Sequence, residues 1–153
     1  MRARGTQFGK AVVDCQTLAD AMREKFKEAI LNIDVRERRA GATNGVCGHD
    51  LWLEITRPCF RSFIEELFAY DFVYFHVISG DDAGDDVALS YSLSVFQRDR
   101  GRRIGVTATV RTPKSDLSMP SIFGLLPGSE YSEREIEETF GVCFLRDLTE
   151  REV

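Results

Sequence analysis

A strict alternation of apolar residues and serines in the middle of the chain constrains the fold more than any other feature of the sequence. The alternating residues are Leu89, Ser90, Tyr91, Ser92, Leu93, Ser94 and Val95. Because successive side chains of a strand point to opposite faces of a sheet, this pattern predicts a strand with one buried and one wet face. A turn at residues 99–101 and a second apolar stretch at residues 104–110 predict that the next strand forms a hairpin with it.

The first part of the chain begins with a helical pattern and continues into a strand. Apolar residues at helical spacing predict a helix over residues 18–29, begun by a weak capping box at residues 17–20. Residues 30–35 then have the β-branched character of a strand, which the charged residues 36–39 are expected to close. The small, Gly-rich residues 40–48 are expected to form a loop.

A second helix is expected between two further strands. Residues 51–55 alternate as a strand does, and Thr56 is the expected N-cap of the helix that follows. The apolar face of this helix consists of Phe60, Phe63, Ile64, Leu67 and Phe68. Residues 72–78 form a continuous apolar run, which is typical of a central strand.

This order of elements favours an α+β fold in one domain, residues 1–153. We expect a mostly antiparallel, four- to five-stranded sheet with the helices packed on one face, a ferredoxin-like plan, and an additional C-terminal helix. Residues 1–13 carry no strong pattern and are expected to form a flexible arm.

Charge and hydropathy exclude two classes of function. The formal net charge is −5, whereas a dedicated nucleic-acid-binding protein needs positive charge to displace counterions. The longest stretch without a charged residue, residues 117–129, contains two prolines and is shorter than the ~17–25 apolar residues of a spanning helix. We therefore expect no nucleic-acid partner, a cytoplasmic location, and contact with a membrane only through other subunits.

Cysteines and histidines give no sign of a metal or cluster site. The cysteines are Cys15, Cys47, Cys59 and Cys143, and no two of them have C-x-x-C spacing. Cys47 and His49 are the one close pair, which is too few ligands for a structural zinc site. No cofactor or metal is therefore expected in this chain.

Two other groups of residues are possible catalytic candidates. Residues 81–86 contain four aspartates, but they lack the EF-hand spacing and surround Gly84, so a solvated hairpin loop is the favoured interpretation. His76 lies within an apolar run, where a hydrogen-bonded histidine in a sheet is favoured over a catalytic base. No catalytic residue is predicted.

The most distinctive motif lies near the C-terminus. Residues 132–135 read Ser-Glu-Arg-Glu, a capping box that predicts the start of a helix at Ser132. Phe140 and Gly141 predict its end, because a C-terminal glycine suits the left-handed cap. Glu133 and Glu137 share one helical face, and Arg134 is expected to pair with Glu138.

Residues 120–144 resemble the 30-kDa subunit family of NADH:quinone oxidoreductase, the respiratory complex I. The resemblance consists of Pro120-Ser121 before an apolar segment, then the motif Glu-Arg-Glu-x-x-[Asp/Glu] at residues 133–138, followed by apolar residues. Arg151 occupies a further family position. Thr139 and Asp147 depart from the pattern, and the tail that usually follows in the complex I members of the family is absent from the sequence.

The resemblance implies a non-catalytic scaffold without cofactors, docked on the large catalytic subunit of a redox complex and near its iron–sulfur subunits. Residues 119–153 are the expected docking region, in a complex peripheral to the inner face of the cell membrane. The partner-binding residues that it implies are Pro120, Ser121, Glu133, Arg134, Glu135, Glu138, Phe140, Gly141 and Arg151.

Alternatives to a complex I subunit remain open at this point. The same module occurs beside the large subunit of membrane-bound [NiFe] hydrogenases, and a short chain resembles that branch as well. A free-standing ferredoxin-like module that binds a small ligand fits the same fold plan. A hydrolase or metal enzyme using His76 and the acidic loop is the third possibility.

Overall fold

The computed structural model describes residues 11–40, 45–98 and 101–146, and these form one mixed five-stranded sheet covered by helices. The strands are β1 Ile30–Ala40, β2 Gly45–Ile55, β3 Tyr74–Asp82, β4 Asp86–Val95 and β5 Ile104–Pro113. They lie in the order β1-β2-β5-β4-β3, and all neighbours are antiparallel except β2 and β5, which are parallel. The expected α+β architecture is confirmed.

Two helices cover one face of this sheet. They are α1, Cys15–Phe26, and α2, Arg57–Tyr70. The apolar residues of β4 alternate as expected, because Tyr91 is fully buried and the Phe60 ring of α2 packs against it at 4.4 Å between centroids. The opposite face of β4 carries the serines, so the alternation is confirmed. The predicted wet face is wrong at Ser94, which is fully buried, and Ser90 and Ser92 are only partly exposed.

Helix α1 begins three residues earlier than its apolar pattern predicts. Asp14 is the N-cap, and its carboxylate accepts a 2.8 Å hydrogen bond from the backbone N–H of Thr17. The predicted capping box at residues 17–20 is therefore wrong, since Thr17 already lies in the first turn. The α-helix ends at Phe26, and a 3₁₀ turn, Lys27–Ala29, completes the predicted length.

The hairpin of β1 and β2 is longer than predicted. β1 continues through the charged residues to Ala40, and β2 starts at Gly45, inside the predicted loop. Cross-strand pairing explains the difference, because Arg38 forms an ion pair with Asp50 of β2 and thereby places charged residues within the ladder. The loop prediction for residues 41–44 lies outside the described residues.

The prediction that residues 72–78 form a central strand is wrong. β3 is an edge strand, and Phe72 and Val77 are 47% and 42% exposed. A register shift between Phe75 and Val77 breaks the alternation, so buried and exposed apolar residues follow one another in sequence. A continuous apolar run here reflects an irregular edge rather than burial on both faces.

The acidic loop is the tip of the β3–β4 hairpin, as expected. Gly84 has φ +90°, a conformation that glycine adopts without steric cost. Asp82 accepts hydrogen bonds from the Gly84 N–H at 3.1 Å and the Lys114 ammonium at 2.8 Å. These contacts give Asp82 a structural role in the turn.

The C-terminal third adds a helix and a two-stranded parallel sheet. Helix α3 spans Glu130–Phe140, and the sheet pairs β6, Ser118–Pro120, with β7, Cys143–Leu145. A 3₁₀ turn at Pro127–Ser129 precedes α3. In the described part of the chain, no helix is long and apolar enough to cross a membrane.

Helix α3 ends as predicted but starts earlier. Gly141 adopts φ +77° and its N–H donates to the carbonyl of Glu137 at 3.0 Å, the expected left-handed cap. The N-cap is Ser129, three residues before the predicted Ser132. The capping-box prediction is wrong because the helix has already begun at Glu130, which places Ser132 inside its first turn.

Candidate docking surface

Glu133 lies on the buried side of α3 and is 4% exposed. Its Oε1 accepts a hydrogen bond from the Ser121 hydroxyl at 2.8 Å, and its Oε2 accepts one from the Ile122 N–H at 2.9 Å. Glu133, which the resemblance implies as a partner-binding residue, is thus buried by the chain's own residues. Both carboxylate oxygens bind the chain's own backbone and side chain, which ties α3 to the residues that precede it.

The surroundings of Glu133 favour its protonated form. Burial raises the pKa of the Glu133 carboxyl above its usual 4.5, and the two accepted hydrogen bonds and the Arg146 cation oppose this only in part. Burial also raises the pKa of Tyr91, with a smaller contribution from the charge of Glu133. The Tyr91 hydroxyl is buried and has no hydrogen-bond partner among the residues that the structure describes. Glu133 thus lies in a poorly solvated site that disfavours its charged form.

The segment of residues 117–129, which connects the main sheet to α3, packs on the chain's own core. Met119 and Ile122 are fully buried, and Leu126 is 3% exposed. This segment is therefore covered by the domain's own core. Its apolar residues belong to the same core cluster as α2 and β4.

Two arginines of α2 hold the same segment from the other side. The Arg57 guanidinium donates to the carbonyls of Asp116 and Ser118 at 2.9 and 2.8 Å, and it also binds the Asp116 carboxylate at 3.1 Å. Arg61 donates to the carbonyl of Ser121 at 3.1 Å. The planar, multiply donating guanidinium suits this role, because one side chain satisfies several carbonyls.

Helix α3 is packed on the edge strand through an aromatic contact. The ring of Phe140 lies directly over Gly80 of β3, where an added Cβ atom would overlap it. Ile136 of α3 is 5% exposed and joins the core. Glycine at position 80 thereby allows the helix to approach the sheet closely.

The outer side of α3 forms an exposed stripe. Its residues are Tyr131, Arg134, Glu135 and Glu138, spaced at i, i+3, i+4 and i+7. Tyr131 is 71% exposed, an unusual fraction for an aromatic side chain. Arg134 pairs with Glu130 at 3.3 Å, not with Glu138 as expected. The stripe, defined by these four residues, joins an aromatic ring to charges of both signs.

The predicted partner-binding residues therefore separate into two groups. Ser121 and Glu133 are buried, and Pro120 and Phe140 are partly buried, so these four build the fold. Arg134, Glu135, Glu138 and Gly141 are exposed. Arg151 lies outside the described residues.

Sequence reasoning missed several residues of this region. Arg57 and Arg61 lie at i, i+4 on α2, a spacing that could have drawn attention to them as a paired cationic surface. The exposed Tyr131 stands next to the motif and could have been weighed with it. The residues around Gly80 contain no pattern that predicts its role, because that role depends on Phe140, sixty residues later in the chain.

The described residues show no catalytic arrangement at the candidates that the sequence suggests. The His76 ring nitrogen Nε2 lies 3.0 Å from the Ser94 hydroxyl, and this hydroxyl donates to Gln97 at 2.7 Å. The Ser94 proton is thus directed away from His76, unlike that of an activated nucleophile. Among the described residues, no three His, Cys, Asp or Glu side chains are grouped to hold a metal ion.

Known proteins share the sequence pattern and the fold. Residues 53–152 match the family described as "Respiratory-chain NADH dehydrogenase, 30 Kd subunit". The trypsin-resistant fragment of Nqo5 is 20% identical, with a TM-score of 0.60 over 84% of this chain and 92% of that one. A chain of the membrane-bound sulfane sulfur reductase, an archaeal respiratory membrane complex, is also 20% identical, with a TM-score of 0.67 over 84% and 69%.

Proposed function

Because the family match spans residues 53–152, this chain belongs to the respiratory-chain NADH dehydrogenase 30-kDa subunit family, and we propose that it is a non-catalytic subunit that docks on the large catalytic subunit. Membership in this family confirms the resemblance noted at residues 133–138. The chain is therefore of a type that forms a subunit of a multi-subunit respiratory complex. In this proposal the chain supports assembly and electron transfer without holding a flavin, quinone or cluster itself.

The observation that carries the proposal is the exposed stripe on α3. The helix is fixed from beneath by Glu133 and Phe140, so Tyr131, Arg134, Glu135 and Glu138 are presented on a rigid element. Tyrosine and arginine are enriched in the energetically important parts of protein interfaces. A rigid stripe of this composition favours binding without a large cost of ordering side chains.

The charges of the stripe provide specificity for the large subunit. Its Arg134 and its two glutamates allow complementary charges on the partner to fix the docking register and to disfavour other orientations. Gly141 and the half-exposed Leu145, which is 38% exposed, extend the surface beyond the end of the helix. We place the complex at the inner face of the cell membrane, where this chain contacts the membrane only through other subunits.

The second candidate is the equivalent subunit of a membrane-bound [NiFe] hydrogenase-type complex. It is kept because a chain of a respiratory membrane complex other than an NADH dehydrogenase, the archaeal sulfane sulfur reductase, shares this fold with a TM-score of 0.67. Both likenesses concern the fold. The two candidates share the docking role and differ in the large subunit that is bound.

Purification of the complex through this chain tests the proposal. A tagged full-length chain is expressed in its native host, the complex is isolated from membranes in mild detergent, and its subunits are identified by mass spectrometry. We expect a large catalytic subunit and iron–sulfur subunits in constant ratio to the chain. A 49-kDa-type large subunit supports the first candidate and a [NiFe] hydrogenase-type subunit the second, whereas a chain recovered alone would contradict both.

A further inference from the structure

A cavity of about 280 Å³ lies at the end of the sheet where β5 begins. Val12, Val13 and Ile104 give it apolar walls, and Cys15 from the first turn of α1 lines it as well. Burial raises the pKa of the Cys15 thiol to about 11, so the thiol is neutral and contributes to the apolar lining. A cavity of this size and lining accommodates one apolar side chain.

The rim of the cavity is basic although the chain as a whole is acidic. Arg102, Arg103 and His49 line it, and the exposed Arg98 follows the end of β4 nearby in the sequence. Within residues 11–40, 45–98 and 101–146, neither Arg98, Arg102 nor Arg103 forms an ion pair with a carboxylate. Most other arginines of the described chain do form such pairs.

The acidic groups near the rim are already engaged. The carboxylate of Asp14 caps α1 through Thr17, and this hydrogen bond lowers its pKa. Asp50 is paired with Arg38 and accepts a hydrogen bond from the Gly105 N–H at 3.2 Å. Within the described residues, no carboxylate neutralises the guanidinium groups of Arg102 and Arg103, and the Nε of Arg103 donates a hydrogen bond to the uncharged Gln97 Oε1 at 3.2 Å.

This surface is distant from the stripe on α3. The cavity adjoins Ile104 at the start of β5, whereas residues 117–129 depart from the other end of that strand, after Pro113. Ten residues of strand span about 30 Å. A helix or loop of a partner that binds the stripe on α3 therefore does not reach the cavity, which remains free to bind another segment.

We propose that this cavity and its arginine rim form a second docking surface, which binds an acidic segment of a neighbouring subunit. An apolar side chain of that segment enters the cavity, and flanking Asp or Glu side chains pair with Arg102 and Arg103. Arginines without a described carboxylate partner around an apolar recess are complementary to a segment that carries one apolar side chain between acidic residues. A carboxylate binds the guanidinium group through two parallel hydrogen bonds. The inference rests on the proposed function, because it requires a neighbouring subunit.

Zero-length crosslinking in the purified complex tests this directly. The Arg102→Lys/Arg103→Lys variant keeps the charge and provides amines that a carbodiimide joins to a carboxylate in direct contact. We expect crosslinks from these positions to Asp or Glu of another subunit. Lys27, at the far end of α1 and exposed, is the internal control and should give no such product. The inference would be overturned if the complex is intact and positions 102 and 103 form crosslinks only to other residues of this chain.

Charge reversal gives an independent readout. The Arg102→Glu/Arg103→Glu variant should lower the yield of complex about tenfold, as expected when rim charges become repulsive, while Lys27→Glu leaves it unchanged. Thermal melts of the isolated variants check that both fold. Equal yields of complex for the Arg102→Glu/Arg103→Glu and Lys27→Glu variants would refute the second docking surface alone. A wild-type chain recovered without any other subunit would refute both the proposed function and the second surface.

Discussion

Glu133 connects the family motif to the fold, because its carboxylate binds the Ser121 hydroxyl and the Ile122 N–H while its neighbour Arg134 points to solvent. A buried carboxylate with two donors is stable only while both remain in place. Ser121 and Glu133 thus have a structural role, and the exposed residues of the same motif are free to bind a partner. Two neighbouring motif residues therefore respond differently to mutation.

Replacement of Glu133 by alanine should destabilise the isolated chain. The change leaves the Ser121 hydroxyl and the Ile122 N–H buried without an acceptor, and each such group costs about 1–3 kcal/mol. We expect the free energy of unfolding to fall by about 2–4 kcal/mol in urea titrations. Arg134→Ala, the exposed control one residue away, should change it by no more than about 0.5 kcal/mol. Equal effects of the two changes would contradict the assignment of Glu133 as an internal clamp.

The contribution of Glu133 to stability should depend on pH. Because burial raises its pKa in the folded state above the ordinary 4.5, the folded chain binds this proton more readily than the unfolded chain does. Its contribution is therefore full below about pH 4.5 and declines as the pH rises through the folded-state value. We expect the difference in unfolding free energy between wild type and Glu133→Gln to favour wild type more at pH 4 than at pH 7. A difference that is constant or grows with pH would show that the carboxyl is not desolvated.

At the scale of elements, α3 is held by contacts to three different parts of the chain. Glu133 binds the segment of residues 117–129, Phe140 packs over Gly80 of β3, and β7 after the helix pairs with β6. None of these contacts is local in sequence. Helix α3 is therefore an integral part of the domain and presents its outer stripe at a fixed angle.

The contact between α3 and β3 can be tested by adding one methyl group. Gly80→Ala places a Cβ atom where the Phe140 ring lies, so we expect a loss of about 1–3 kcal/mol in unfolding free energy from overpacking. Phe140→Leu removes part of the ring and should lessen the cost of Gly80→Ala. A double-mutant cycle measured by urea denaturation should give a coupling of about 0.5–3 kcal/mol. Additive effects would mean that the helix does not rest on Gly80.

Elements with a regular local period could be predicted from sequence, and their places in the sheet could not. The β4–β5 hairpin and the apolar face of α2 follow from spacings within one element, and both are confirmed. The edge position of β3 depends on which strand pairs with which, and its irregular register hides its exposure. The start of α3 was misplaced because the 3₁₀ turn at Pro127–Ser129 leads directly into the helix at Glu130, and no side-chain cap marks this start.

At the scale of the whole molecule, the domain presents a stripe on α3 that joins an aromatic ring to charges of both signs, and a basic recess at the start of β5. Exposure of Arg134, Glu135 and Glu138 could be anticipated from their charge, whereas the burial of Glu133 could not, since glutamate is rarely buried. The recess escaped the sequence analysis because its residues come from three distant stretches of the chain. The family, in contrast, was evident from one contiguous motif.

The central claim is that the stripe on α3 binds the large catalytic subunit, and the affinity of that binding tests it most directly. Arg134→Ala is measured against Arg23→Ala, a matched control in which an exposed helical arginine also loses a carboxylate partner at 3.3 Å. Association of the purified chain with the large subunit is followed by isothermal titration or pull-down. We predict that Arg134→Ala weakens it by about 2–5 kcal/mol, the usual cost of leaving a partner charge unpaired, and that Arg23→Ala has no effect. Wild-type affinity in Arg134→Ala, with both variants folded, would contradict the account.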